Sequence, residues 1–437
     1  MPALSIPDIV RVFNADRGIA GSGLLVSEKR VLTPAQTVAL ALNISKPQAE
    51  MPGDELLLDL PRQTPGQFLR ARVVYWQPAL DATVEGEIGE DIAVLELLDE
   101  LPKQLGHNEP PRSPSNKHYA TVIDAICDGE LIPFLGAGVN LCGRPSKTGW
   151  QRGVYLPSGQ ELAAFLAQEF SYPVEETLEL VRVSQYAALM RGSEPLYRKL
   201  RYVFDADYPP TPLHDFLATL PSVLRAKKYP SCQLIVTTNY DDVLERAFRQ
   251  QNEPFDLVTY VAGGGPEQRG KFLHWSFEGD VNLIDKPNEY RGLALDENRN
   301  LQRTVILKIH GAVDRITAKN ERPRDSFVIT EDHYIDYLTR SDISSLVPVT
   351  LAEKLKGSSF LFLGYSLRDW NLRVILHRIW MEQQQNMNYK SWAIQLYHEE
   401  LEQEFWKKRD VEIFNARLED YISELSRRVT TLPFAGG

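Results

Sequence analysis

From the N-terminus to about Leu101, apolar residues come in short runs of alternating character broken by turn-formers: GSGLLVS, RVLTPAQTV, ELLLDL, FLRARVVYW and DIAVLELL. A period of two sends every second side chain to one face, the pattern of a half-buried strand. Strands at this spacing predict a small antiparallel all-β barrel over residues 1–108. LPKQLGHNEPPRSPSNK comes next, rich in proline, serine and asparagine, and reads as a linker whose core is residues 109–117.

From His118 the period lengthens to about 3.6. In HYATVIDAICDGEL, Val122, Ile123 and Ile126 fall on one face. Ser158 and Glu161 make an S-x-x-E capping box ahead of LAAFLAQEF, and a further helix runs to about Met190 before Gly192 ends it. These helices lie between one apolar strand, LIPFL, and the next, QLIVTT, so an inserted helical segment is expected over about 145–228. TVILKI, SFLFLG and WAIQL then alternate with helical stretches such as DDVLERAF and RVILHRIW. Strand and helix in turn predict an α/β unit over 118–430, its mostly parallel sheet covered on both faces.

Composition narrows the function classes. A chain of 437 residues has material for two or three domains. Its formal charge of -11 argues against direct nucleic-acid binding by overall charge, since phosphate affinity rests on clustered Lys and Arg. No apolar run approaches a membrane span, and Asp8, Arg11, Asp16 and Arg17 interrupt the N-terminal stretch where a signal peptide needs apolar residues, so a cytoplasmic location is expected. Cys127, Cys142 and Cys232 lack a C-x-x-C spacing. They support neither a disulfide framework nor a four-thiolate zinc site, and buried free thiols are expected instead.

In an open parallel sheet, ligands bind outside the carboxyl ends of the strands. The residues just past each strand are therefore informative: Gly136-Ala137-Gly138-Val139-Asn140 after LIPFL, Asn239-Tyr240-Asp241 after QLIVTT, His310-Gly311 after TVILKI, and Gly364-Tyr365-Ser366 after SFLFL. Each has a plain structural reading: a tight turn, an Asn or Asp helix cap, a turn histidine, a strand-to-helix turn. Taken together they suit one site. Bare amides at Gly136 to Gly138 admit a pyrophosphate. Asn239 holds a ribose hydroxyl or a water, Asp241 accepts from a carboxamide NH2, His310, expected to titrate near neutrality, acts as general base, and Gly364 and Ser366 flank a second ribose. That set fits a dinucleotide whose glycosidic bond breaks.

GAGVN, TTNYD, KIHG and GYS resemble, in that order, the four signatures of the sirtuin fold over roughly residues 118–428. The likeness is nearest to bacterial sirtuin-like effectors of phage defence, which hydrolyse NAD+ to nicotinamide and ADP-ribose in abortive infection. TPLHDFLATLP, DSFVITEDHYIDYL and GYSLRDWNLRVIL resemble the same group. The resemblance implies a Rossmann-like sheet, NAD+ as substrate, Asn239 and His310 as the catalytic pair, and Asp241 near the nicotinamide. It implies that Gly136, Ala137, Gly138, Asn140, Thr238, Gly364, Ser366, Asp369 and Asn371 hold the rest of the dinucleotide. Asn140 stands where deacetylating sirtuins have Ser or Thr, and their four-cysteine zinc ribbon has no counterpart, so no zinc is expected and hydrolysis is favoured over deacylation. The alternatives are an NAD-dependent protein deacylase and a non-catalytic NAD+ or ADP-ribose sensor. A toxic hydrolase needs restraint, which implies a homo-oligomer and control by a sensor or NTPase partner or a fused C-terminal module.

GSGLLVSEKRVLTPAQTV and EDIAVLEL resemble the first barrel of a trypsin-type protease. Gln36 takes the place of the catalytic His, Asp91 that of the triad Asp, and no second barrel with a nucleophilic Ser comes after. Acyl transfer cannot run without base and nucleophile. The resemblance implies a degenerate half-protease used for docking or assembly, and a plain β-barrel is the alternative.

Overall fold

The computed structural model describes residues 8–27, 29–44, 49–60, 64–78, 91–99, 113–145, 148–173, 176–265, 267–296, 300–316, 324–339, 347–365, 390–396, 406–407 and 409–435. It divides into two compact units, Met1–Pro110 and Pro111–Gly437.

The first unit is a closed antiparallel barrel of six strands: β1 (Asp8–Phe13), β2 (Ile19–Ser27), β3 (Arg30–Thr33), β4 (Leu56–Leu60), β5 (Thr64–Gln77) and β6 (Ile92–Leu97), ordered β1-β2-β3-β6-β5-β4. Alternation does what it predicts in most strands: Val31, Ala71, Ala93 and Leu95 are buried inside while their neighbours along the strands are more exposed. Asp59 is also buried, and Arg11 answers it, with Nε 2.8 Å from Oδ1. RVLTPAQTV is only half strand. Pro34 ends the extended stretch and caps helix α1 (Ala35–Ala41), where Ala, Gln and Leu favour helix. The Gln36 amide donates to Asp91 Oδ1 at 3.2 Å, so the two positions singled out in the protease-like motif are neighbours in space.

In the second unit, helix α2 (Asn116–Cys127) starts two residues inside the expected linker, because Ser115 accepts from the His118 amide and caps it. Strands β7 (Leu131–Leu135), β8 (Leu234–Thr237), β9 (Phe255–Tyr260), β10 (Phe272–Trp275), β11 (Val281–Ile284), β12 (Thr304–Lys308), β13 (Ser359–Leu363), β14 (Ser391–Gln395) and β15 (Val411–Asn415) form one sheet, in the order β11-β10-β9-β12-β8-β7-β13-β14-β15. All neighbours are parallel except the β9-β10-β11 meander at one edge. The fold is thus a six-stranded antiparallel barrel followed by a nine-stranded, mostly parallel α/β sheet. β7, β12 and β13 are buried along their whole length, which is why they read as unbroken apolar runs. The chain leaves β7 toward β8 on one side and returns to its other side at β13, so the crevice between their carboxyl ends is the switch point where such sheets bind ligands.

Between β7 and β8 lie α3 (Gly159–Phe170), α4 (Leu180–Arg191), α5 (Ser193–Phe204) and α6 (Pro212–Ala226). The capping box forms as its residues require: Ser158 accepts from the Glu161 amide and Glu161 from the Ser158 amide. Within the segment 145–228 the helices divide. α3 to α5 pack around Leu166, Val183 and Leu200 in a cluster shared with Tyr240, Val243 and Phe327, whereas Leu213, Leu217 and Leu224 of α6 pack into the layer that covers the sheet. Helices α7 (Val243–Gln250), α8 (Glu331–Thr339), α9 (Val349–Lys356) and α10 (Leu418–Thr430) complete the described elements. RVILHRIW lies outside the described residues. Among the described residues no helix is long and apolar enough to cross a membrane, no group of three or more His, Cys, Asp or Glu is placed to hold a metal, and the three cysteines are free.

Candidate functional site

A cavity of about 780 Å³ opens at the carboxyl ends of β7, β8, β12 and β13, a size within the usual range for small-molecule sites. Its walls include Gly136, Ala137, Gly138, Asn140, Thr238, Asn239, Asp241, His310 and Gly364. Ser366, Asp369 and Asn371 lie outside the described residues.

The glycines after β7 answer a different need from the one their sequence suggests. Gly136 donates its amide to the Leu363 carbonyl at 3.0 Å and Gly138 to the Gly364 carbonyl at 2.8 Å, so neither N–H is bare for a phosphate. A Cβ on Gly138 would stand 2.6 Å from the Gly364 oxygen. Gly364 in turn adopts φ +63°, and its own Cβ would lie 2.2 Å from the Val139 nitrogen. Two strand-end loops cross in contact here, and only residues without side chains permit it. Ala137 opens a short 3-10 turn (Ala137–Leu141), and as its first residue has no intrahelical acceptor for its amide.

After β8, Thr238 ties its amide to the Leu135 carbonyl at 3.1 Å, and the Asn239 amide donates to Thr237 Oγ1 at 3.0 Å. Asn239 Nδ2 donates to the Gly136 carbonyl at 3.2 Å, which fixes the side chain and leaves Oδ1 as its acceptor toward a ligand. Asp241 faces inward and is 4% exposed. Its Oδ1 accepts from the Val243 amide at 3.1 Å, the bond of a local cap at the start of α7, and its Oδ2 accepts from Asn140 Nδ2 at 3.3 Å. Beneath it, buried Lys308 donates to the Asp241 carbonyl and pairs with buried Glu245 at 2.7 Å.

His310, two residues beyond Lys308, is 3% exposed and meets Tyr334 of α8 edge-on at 5.5 Å between ring centroids. Burial lowers its pKa to about 3, so the imidazole is neutral at physiological pH. Burial also lowers His118 and His214 to about 4. The consequence for stability has a definite sign. Between a pKa of about 6.5 in the unfolded chain and these depressed folded values, the unfolded chain binds protons that the native state refuses, so stability falls as pH drops through that window. Each of the three contributes up to about 1.4 kcal/mol per pH unit. Urea unfolding is expected to weaken progressively from pH 7 to 4.5, with a shallower slope in a His214→Asn variant; a flat profile would contradict the burial.

The cavity also takes in residues that sequence reasoning passes over: Arg144, the α3 start at Ser158 to Gln160, Phe204, Tyr334, Gln395 at the end of β14, and Arg417 to Glu419 at the start of α10. The capping box marks the α3 start, whereas Gln395 is the last residue of β14 itself, so a rule that reads only the residues past each strand misses it. Arg144 is spent on the fold, binding Glu161 at 3.0 Å and the Leu156 carbonyl at 3.3 Å. Its guanidinium holds the Glu161 carboxyl down at about 2.

Residues 233–414 match the family model described as a SIR2-like domain. Over 239 residues the chain is 26% identical to the NAD(+) hydrolase ThsA of Acinetobacter baumannii (strain 532279), a stretch covering 54% of this chain and 39% of that protein. Over 258 residues it is 27% identical to the NAD(+) hydrolase ThsA of Enterococcus faecium, covering 59% of this chain and 41% of that protein. The matched stretch spans about two fifths of the length of these curated relatives.

Proposed function

We propose that this chain hydrolyses NAD+ to nicotinamide and ADP-ribose, and that it does so as a toxic effector of anti-phage defence. The observation that carries the reading is that Asn239 and His310, which arrive from different strands, share one cavity with the glycine loop at the switch point. The distant likeness to two proteins named NAD(+) hydrolases supports it.

The chemistry rests on the chain's own groups. The glycosidic bond breaks with its electron pair passing to the pyridinium nitrogen, and C1′ of the ribose gains oxocarbenium character. Asn239 Oδ1 orients a water toward that carbon, and neutral His310 accepts its proton and passes it to solvent. No covalent enzyme intermediate is needed. Tyr334, edge-on to the imidazole, keeps the ring in one plane. The barrel of the first unit serves docking or assembly in this reading; peptidase activity traced to it would overturn that part.

The test is NAD+ consumption by the purified chain over a concentration series, beside Asn239→Ala. Nicotinamide and ADP-ribose in equal amounts are expected from the parent, with at least about a hundredfold loss in the variant. A rise steeper than linear marks activation by self-assembly. Acetyl-ADP-ribose formed with an acetylated peptide, and no turnover without it, would make the chain a deacylase instead. Binding without turnover under every condition would make it a sensor.

A further inference from the structure

The sequence assigns the nicotinamide carboxamide to Asp241, but that carboxylate is already engaged: Oδ1 by the Val243 amide and Oδ2 by Asn140 Nδ2. A carboxylate only accepts, so the bond fixes which end of the Asn140 amide faces it. Nδ2 points to Asp241 and Oδ1 points away. Asn140 lines the cavity and is 6% exposed, yet its Oδ1 has no hydrogen-bond partner among the described residues. A buried acceptor left without a donor is costly, and a ligand that supplies one removes the cost. The support behind it is firm, because Lys308 pins the Asp241 backbone from below.

We propose that Asn140 Oδ1, held by Asp241, is the acceptor for the carboxamide N–H of the nicotinamide, and that this pair sets the preference for nicotinamide over pyridines without that donor. The proposal rests on the NAD+ reading above and adds a specificity-determining residue to it. A ribose hydroxyl both donates and accepts, so many groups satisfy it. The carboxamide NH2 only donates and requires an acceptor, and with Asn140 Nδ2 turned to Asp241 the unpartnered oxygen Oδ1 is that acceptor. Asp241 becomes the positioning residue, acting through Asn140.

Asn140→Leu and the parent are compared on NAD+ and on 3-acetylpyridine adenine dinucleotide, in which a methyl ketone replaces the carboxamide and no N–H remains. The variant is expected to lose about ten- to hundredfold in kcat/KM on NAD+ and less than about threefold on the analogue, so the preference collapses. Equal losses on both would mean that Asn140 merely supports Asp241, and would overturn the proposal. Circular dichroism establishes that the variant folds; if it does not, Asn140→Ser, too short to reach, is judged by the same criterion. Should the parent hydrolyse neither dinucleotide, the hydrolase reading fails separately. The proposal is then decided by NMR titration with nicotinamide and 3-acetylpyridine. Tighter binding of nicotinamide that the variant abolishes upholds it, and equal binding overturns it.

Discussion

His310→Ala is expected to lower NAD+ turnover by about 10²- to 10⁴-fold while changing NAD+ affinity by less than about threefold. A general base acts as the proton leaves the water, so its loss is felt in the transition state far more than in the bound ground state. Single-turnover kinetics paired with equilibrium binding separate the two. Comparable losses in both would make His310 a wall of the cavity. The pH profile supplies a second reading. With burial holding the imidazole at about 3, kcat/KM has no ionisation near 6.5 to report from this residue, and a limb there that disappears in the variant would show His310 exposed and titrating in the unliganded protein.

Lys308→Met is expected to cost about 3–5 kcal/mol of stability. Lys308 and Glu245 side chains are 2% and 3% exposed and 2.7 Å apart. Burial raises the Glu245 carboxyl above the ordinary carboxylate range, and its Oε2 has no hydrogen-bond partner among the described residues. Removing the lysine leaves a carboxylate that must take up a proton or draw in water. Lys308→Met combined with Glu245→Leu deletes both charges, and most of the stability is expected to return, because well-packed apolar pairs often replace buried ion pairs without loss. Turnover is not expected to return with it. The paired variant still lacks the donor to the Asp241 carbonyl, so the turn carrying Asn239 and Asp241 is no longer pinned to β12. Chemical unfolding and NAD+ kinetics on all three variants decide this; a paired variant as unstable as the single one would show that the ion pair is not the source of the cost.

The elements legible from sequence patterning are those for which local and global demands agree. β7, β12 and β13 are buried on both faces, so their polar residues, Thr304, Lys308 and Ser359, stand only at strand ends, and the residues after each fall at one sheet edge because parallel strands must all end on the same side. The failures have equally physical causes. α1 is hidden because β-branched Thr33, Thr37 and Val38 make the stretch on either side of Pro34 read as one strand. β11 is short and half-exposed at the sheet margin, where little apolar signal is needed. The Gly136 and Gly138 amides look open in the sequence because it does not say which strand lies beside β7; once β13 is its neighbour, Leu363 and Gly364 take those N–H groups. Asp241 suits either a cap or a ligand contact, and the cap bond to Val243 is made while the residue still borders the cavity. The role of Asn140 depends on one carboxylate orienting one amide, a relation between residues about a hundred positions apart that no local pattern carries.

The pairing of β7 with β13 also bears on how the chain is made. Leu131 aligns with Ser359, so during synthesis the first strand of the sheet leaves the ribosome more than two hundred residues before one of its two neighbours. Contacts so distant along the chain form late and slowly. A nascent or truncated chain therefore lacks the Leu363 and Gly364 carbonyls that hold the glycine turn, and the cavity at the switch point is incomplete until translation has passed β13.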